Sequence, residues 1–308
     1  MNLTLRDQLK RRVERLHCLP SSPAVLHPLL ELLHLPSDRI DVRKVVQLVS
    51  YDKTITAQCL RIANSPLYGR ARETDSIHAA VVSLGIQRVA DILVTCCLHK
   101  FSLGAKWAAD SAAFWRHSLG CATVSRELAD RIQFADPERA YLGGLLHDLG
   151  VLVNSLAYPD DYGAVLKAAS EKGIPLEDQE AENLGFTHCE SGHILGTLWK
   201  LPSVVKEVIK YHHDLANAPA NNPVIALVHI ADLLCRMRGL GHGYEEWRSV
   251  HLAASPAWEK LSKDCPKLGT MDLERFTMDL DAYVPRVQAL VDSVFTSKLE
   301  HQGPSPAH

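Results

Sequence analysis

VRKVVQLVSYDKTITAQCLRIANS, residues 42–65, decides the fold class. Val42, Val45, Val46 and Val49 recur at three- and four-residue spacing, and so do Ile55, Cys59, Ile62 and Ala63. That period belongs to a helix with one buried stripe, not to a strand. Between the two runs lies Tyr51-Asp52, and an aspartate there reads as the turn that starts the second helix. Outward from this pair the pattern repeats. HAAVVSLGIQRVADILVTCCLHKFSL, residues 78–103, reads as two helices parted at Gly85, with Ser83 or Gly85 near the start of the second. Strand-like alternation bounded by turn residues is hard to find anywhere, so an all-α multi-helix bundle is expected.

The 308 residues contain 46% hydrophobic side chains, ample for a large core. With 33 basic and 36 acidic residues the net charge is −3, which argues against broad nucleic-acid binding. No apolar run reaches the roughly 18 residues of a membrane span. The N-terminal stretch MNLTLRDQLKRRVERLHCLP is charged and helix-like and lacks the apolar segment of a secretory signal, so a cytoplasmic protein is expected. Eight cysteines, at 18, 59, 96, 97, 121, 189, 235 and 265, form no CxxC pair and read as small buried thiols. The chain divides into an N-terminal helical subdomain (1–105), a helical core (106–240), closing helices (241–301) and a disordered tail (302–308), with the first boundary near residues 103–110. Further breaks fall at Pro159-Asp160-Asp161, Gly173-Ile174-Pro175 and Asn217–Pro223.

Sixteen histidines are many, and their placement carries more than their number. GLLHDLG, residues 144–150, sets His147 beside Asp148 in an apolar helical context. An imidazole nitrogen and a carboxylate oxygen together suit Fe, Mn, Zn or Ni better than Ca or Mg. Alone, this dipeptide is as readily a structural polar pair. Four further stretches add to it: His117 in FWRHSLGCA, His188 in GFTHCESGHILG, His212 and His213 in YHHD, and Asp232 in the apolar run LVHIADLL. Burying Asp232 unpaired would cost several kcal/mol. A metal would satisfy it, and so would a backbone cap or an arginine.

The order His, His-Asp, His, His-His, Asp resembles the HD superfamily, specifically its HD-GYP branch. The resemblance implies two divalent transition-metal ions, Fe or Mn first and Zn or Ni as alternatives. One would be held by His117, His147, Asp148 and Asp232, the other by Asp148, His188, His212 and His213. The first half is similar to a narrower group. LPSSPAVLHPLLELL, then SYDKTITAQCLRIANSPLYG with its tract Leu60–Gly69, then SIHAAVVSLGIQRVADILV with Ser83–Val89, resemble the opening of the HDOD family. The likeness covers about residues 15–235 and implies an HD-like second half behind a smaller N-terminal helical subdomain.

Three positions depart from HD-GYP. The lysine that follows its His-Asp motif, thought to assist near the phosphate, is Val151 here, which cannot donate a hydrogen bond. The GYP loop is replaced by DLANAPANNP, and a carboxylate of three-metal relatives is Ala113, so two ions are the maximum. Arg116, Lys210 and Arg236 could supply a cation, although each reads more readily as a surface charge. His193 reads as peripheral, His229 as a satisfied helical histidine, and Cys121 and Cys189 as packed thiols that could approach a metal. Asn64-Ser65-Pro66 reads as a turn. Tyr68 with Arg61, Arg70 and Arg72 reads as a solvated surface or a partner face.

The function implied is a bacterial signal-transduction or regulatory HDOD module that keeps a dinuclear metal site without efficient catalysis. Its partner would be a signalling protein or a phosphate-containing small ligand. The alternative is a metal-dependent phosphohydrolase or phosphodiesterase acting on a nucleotide or cyclic dinucleotide, since two ions can clamp a phosphate and activate water.

Overall fold

The computed structural model describes residues 4–17, 24–32, 35, 39–69, 73–103, 111–241 and 252–295. All regular structure among them is helical. In chain order the helices are α1 (Leu5–His17), α2 (Leu26–Leu32), α3 (Val42–Ser50), α4 (Lys53–Ala63), α5 (Ile77–Leu84), α6 (Ile86–Ser102), α7 (Ser111–Arg131), α8 (Pro137–Leu146) and α9 (Leu149–Ala157). There follow α10 (Pro159–Lys172), α11 (Leu176–Leu184), α12 (His188–Leu198), α13 (Ser203–Tyr211), α14 (Pro223–Arg236), α15 (Pro256–Asp264), α16 (Leu273–Asp281) and α17 (Val284–Val294).

Local chemistry sets these boundaries. Asp52 caps α4, its carboxylate accepting from the backbone N–H groups of Thr54 and Ile55 at 3.1 Å each. Its second oxygen takes the Lys100 ammonium of α6, so one aspartate both starts a helix and ties it to a neighbour. Gly85 sits at φ 86°, a region side chains avoid, and parts α5 from α6 as the sequence predicts. The Asn64 turn is structural. The Thr74 N–H donates to Asn64 Oδ1 at 2.8 Å, and Asn64 Nδ2 donates to the Thr74 carbonyl at 2.9 Å.

The centre of the molecule is α7. Its buried residues run from Ala112 to Ala129 on every face, and it meets α8, α14 and α17. A helix apolar all round belongs inside a core. Around it, α12 lies against α9 and α13, and α14 against α7, α8 and α13. The first half, α2 to α6, joins through α6 on α8. Helix α1 crosses to the second half and packs on α9 and α12, with Arg12 donating to the Ala157 carbonyl at 2.9 Å and lying over the Tyr158 ring. Helix α17 closes back on α7 and α4, where Phe295 stacks on Trp115. Residues 104–110, most of the boundary expected from the sequence, lie outside the described residues, as do Cys18, Arg70, Arg72 and the tail 302–308. No helix among the described residues is long and apolar enough to cross a membrane.

Candidate metal centre

Helices α7, α8, α12, α13 and α14 converge on one buried point. His147 and Asp148 are not inside a helix, as the sequence reading placed them, but at the junction between α8 and α9. The break lets neighbouring side chains turn toward the same place, which an unbroken helix would splay by about 100°. His117 comes from the middle of α7, His188 from the first turn of α12, His212 from the residue that ends α13, and Asp232 from α14.

A close helix approach makes this possible. A Cβ on Gly150 would lie 1.8 Å from the His188 carbonyl oxygen, and one on Gly192 would lie 2.7 Å from the Gly150 nitrogen. Only two glycines let α9 and α12 approach so closely, and that contact sets His188 beside Asp148.

The four imidazoles share one orientation. Nδ1 of His117 donates to the Leu240 carbonyl at 2.7 Å, and Nδ1 of His147 to the Gly144 carbonyl at 2.8 Å. Nδ1 of His212 donates to the Val208 and Ile209 carbonyls at 3.1 Å each. Nδ1 of His188 donates to Glu180 Oε2 at 2.7 Å. A carbonyl or carboxylate only accepts, so the hydrogen of each neutral ring lies on Nδ1 and the lone pair on Nε2. All four Nε2 atoms face Asp148. Its Oδ2 is 3.2 Å from His117 and 3.0 Å from His147, and its Oδ1 is 3.3 Å from both His188 and His212. One carboxylate thus stands between two pairs of imidazoles. Asp232 Oδ1 joins the first pair, 3.2 Å from His117 Nε2.

Each of these six ligand candidates is at most 1% exposed. Lone pairs and carboxylate oxygens cannot hydrogen-bond one another, so the cluster needs positive charge between them, as protons or as ions. Without an ion the charge is protonic. Burial lowers the His117 pKa, but the Asp148 and Asp232 carboxylates reverse this and raise it to about 10. Burial likewise lowers that of His212, while Cys189 and Asp148 raise it to about 10. For His147 burial prevails and the pKa falls.

Two groups of side chains could hold a metal ion: His117, Cys121, His147 and Asp232, and Asp148, His188, His212 and His213, the donor atoms of each lying within 4.8 Å of one another. All seven residues singled out in the sequence are therefore brought together, and the donor chemistry fits divalent transition metals. His213 is the least enclosed, with 13% of its side chain exposed and Nε2 3.9 Å from Glu177.

Sequence reasoning missed Glu180. This fully buried carboxylate accepts from the His188 backbone N–H and Nδ1–H at 2.7 Å each, from the Tyr162 hydroxyl at 2.7 Å and from Asn154 at 3.2 Å. It fixes the ring of a ligand candidate, as second carboxylates do in metalloproteins. Arg236, read as a surface charge, donates from Nε to Asp232 Oδ1 at 2.8 Å and holds that carboxylate well below its usual pKa range. Asp232 is thus partnered by an arginine as well as by His117. Arg116 pairs with Asp292, and Lys210 turns to the Tyr211 hydroxyl. His229 donates to the His212 carbonyl at 2.6 Å, supporting a ligand's backbone, and His193 is peripheral, beside the Lys206 carbonyl. Val151 is buried in the apolar core, and Ala113 is buried on α7.

Known proteins resemble this chain along most of its length. An uncharacterised protein of Treponema pallidum (strain Nichols) is 26% identical over 243 residues, 76% of this chain and 45% of that protein, so the chain spans less than half the length of this curated relative. Among solved structures, an HDOD domain protein of unknown function from Geobacter sulfurreducens has a TM-score of 0.80 at 28% identity, covering 94% of this chain and 99% of its own. A candidate phosphohydrolase of Shewanella amazonensis SB2B has a TM-score of 0.70 at 23% identity, covering 93% and 97%. A candidate signal transduction protein of Marinobacter aquaeolei VT8 has 0.74 at 22%, covering 94% and 65%. At those two identities the likeness is one of fold alone. The HDOD domain family matches residues 19–215, more than half of the chain and most of the helices that carry the histidine cluster, and this protein belongs to that family.

Proposed function

We propose that this chain is a cytoplasmic bacterial signal-transduction module of the HDOD type that keeps a dinuclear transition-metal centre and turns over little or no substrate. The observation that carries the reading is the placement of Asp148, each of whose oxygens faces two imidazole nitrogens with their lone pairs turned inward. One ion falls to His117, His147, Asp148 and Asp232, the other to Asp148, His188, His212 and His213. Nitrogen and oxygen donors favour Fe or Mn, with Zn and Ni compatible. Such a pair of ions supplies Lewis acidity toward a phosphate or a water molecule. The chain's own residues give that chemistry little help. Val151 occupies the place of the HD-GYP lysine and lies in the apolar core. The ions would then stabilise the bundle or sense a ligand, the partner being a signalling protein or a phosphate-containing small molecule.

Metal analysis of purified protein tests the centre. Two ions per chain are expected in the wild type and fewer than one in Asp148→Asn, with helical circular dichroism preserved. A wild-type protein that takes up none after incubation with Fe(II), Mn or Zn refutes it. One observation favours hydrolysis instead: Arg236, with 20% of its side chain exposed, sets a guanidinium beside the cluster where a phosphate could meet it. Hydrolysis of a phosphomonoester or cyclic dinucleotide with added Mn or Fe(II), lost in Asp148→Asn, would replace the first reading by the second.

A further inference from the structure

The groups beside the ligand candidates differ in charge between the two halves of the centre. Beside His188 and His213 they are acids: Glu180 Oε2 accepts from His188 Nδ1 at 2.7 Å, and Glu177 Oε2 lies 3.9 Å from His213 Nε2. The Nδ1 partners of His117 and His147 are uncharged, the carbonyls of Leu240 and Gly144. Beside Asp232 stands a cation. Arg236 Nε donates at 2.8 Å to Asp232 Oδ1, the same oxygen that lies 3.2 Å from His117 Nε2. An acid behind an imidazole raises its strength as a ligand. A guanidinium on a carboxylate does the reverse. It stays charged at any pH a protein meets, engages lone pairs that an ion needs, and repels that ion. The repulsion is little screened here, because the Asp232 side chain is 1% exposed.

We propose that Arg236 makes the two positions unequal by holding the Asp232 oxygen against the ion. The position of Asp148, His188, His212 and His213 fills first and tightly. That of His117, His147, Asp148 and Asp232 fills only at higher ion concentration. The inference rests on the dinuclear reading and adds to it a way for the centre to sense. Between the two concentrations the protein carries one ion and above the second it carries two, so occupancy of the weaker position follows the ion level.

A titration with Mn²⁺, the free ion counted by electron paramagnetic resonance, separates this inference from the reading beneath it. Metal-stripped wild type should bind two equivalents in two steps whose dissociation constants differ by at least about 10-fold, the lower end of what an outer partner is worth. Arg236→Gln should tighten the second step by a similar factor, about 10-fold or more, and the first step by less. Asp232→Asn should keep the tight step and lose the weak one, and adding Arg236→Gln to it should not bring the weak step back. Two equal steps in wild type, or a second step that weakens in Arg236→Gln, overturns the inference and leaves the centre standing; the weakening would make Arg236 a support of Asp232 as a ligand. Loss of the tight step in Asp232→Asn, or a weak step restored by Arg236→Gln in that background, overturns it equally. No Mn²⁺ uptake by wild type overturns both. Should Arg236→Gln fail to fold, the wild-type titration and Arg236→Met decide.

Discussion

Glu180→Gln removes one charge and no volume from a position that is fully buried. Glu180 Oε2 accepts two hydrogen bonds from His188, and Oε1 accepts from Tyr162 and Asn154. A glutamine amide must turn its NH₂ toward one of these pairs, setting donor against donor. Hydrogen bonds to a charged group contribute about 1.5–3 kcal/mol each, so the metal-free protein should lose about 3 kcal/mol or more. The more specific effect falls on the ion. Losing the carboxylate that orients a ligand histidine weakens metal affinity by roughly 10- to 100-fold. At an ion concentration about 100 times the wild-type Kd, binding at one position stabilises the fold by about 2.7 kcal/mol. With Kd weakened by that factor, the increment falls to between about 0.4 and 1.4 kcal/mol. Urea unfolding with and without Zn²⁺ or Mn²⁺ reads the increment directly. If Glu180→Gln is destabilised but the ion still adds the full wild-type increment, Glu180 is a polar tether of the core and the orienting role is refuted.

Gly150→Ala should cost about 3 kcal/mol, the upper end of overpacking, and weaken metal uptake, because its Cβ would meet the His188 backbone rather than a yielding side chain; unchanged stability and metal content would refute the helix approach described above. His99 stacks edge-on against Trp115 and Phe295, and burial, then Arg61, outweigh the Phe295 backbone bond and depress its pKa to about 4. The folded state therefore binds fewer protons than the unfolded chain between pH 4 and about 6.5, so stability should fall by up to about 3 kcal/mol as pH drops through that window and level off below it. His99→Phe should flatten this part of the pH–Tm curve, and an unchanged slope would show that His99 is not its source. Val151→Lys should destabilise the protein by several kcal/mol, since the ammonium would enter an apolar core; denaturant unfolding checks it, and a neutral result would place the side chain at an open surface.

Periodicity made the helices legible, because one buried stripe needs only local spacing to be seen. The seven ligand candidates were legible by residue type and order, and what the sequence could not carry was direction. His147 and Asp148 reach the same point because α8 ends between them and α9, a junction that the apolar run around them hides. Glu180 stands in LEDQEAENLG among other acids, and nothing in their spacing marks it off until α11 is seen turned against α12. Arg236 gave a spacing of four from Asp232, which a surface pair shares.

The Leu240 carbonyl lies just past the end of α14 and accepts the Nδ1 hydrogen of His117. If residue 240 moved away, that hydrogen would lose its anchor and could relocate to Nε2, where it would occupy the lone pair a cation needs. A bound cation, in turn, holds the hydrogen on Nδ1 and so draws the backbone at 240 against α7. By thermodynamic reciprocity, anything that pulls on the chain beyond α14 loosens the ion by as much as the ion resists the pull.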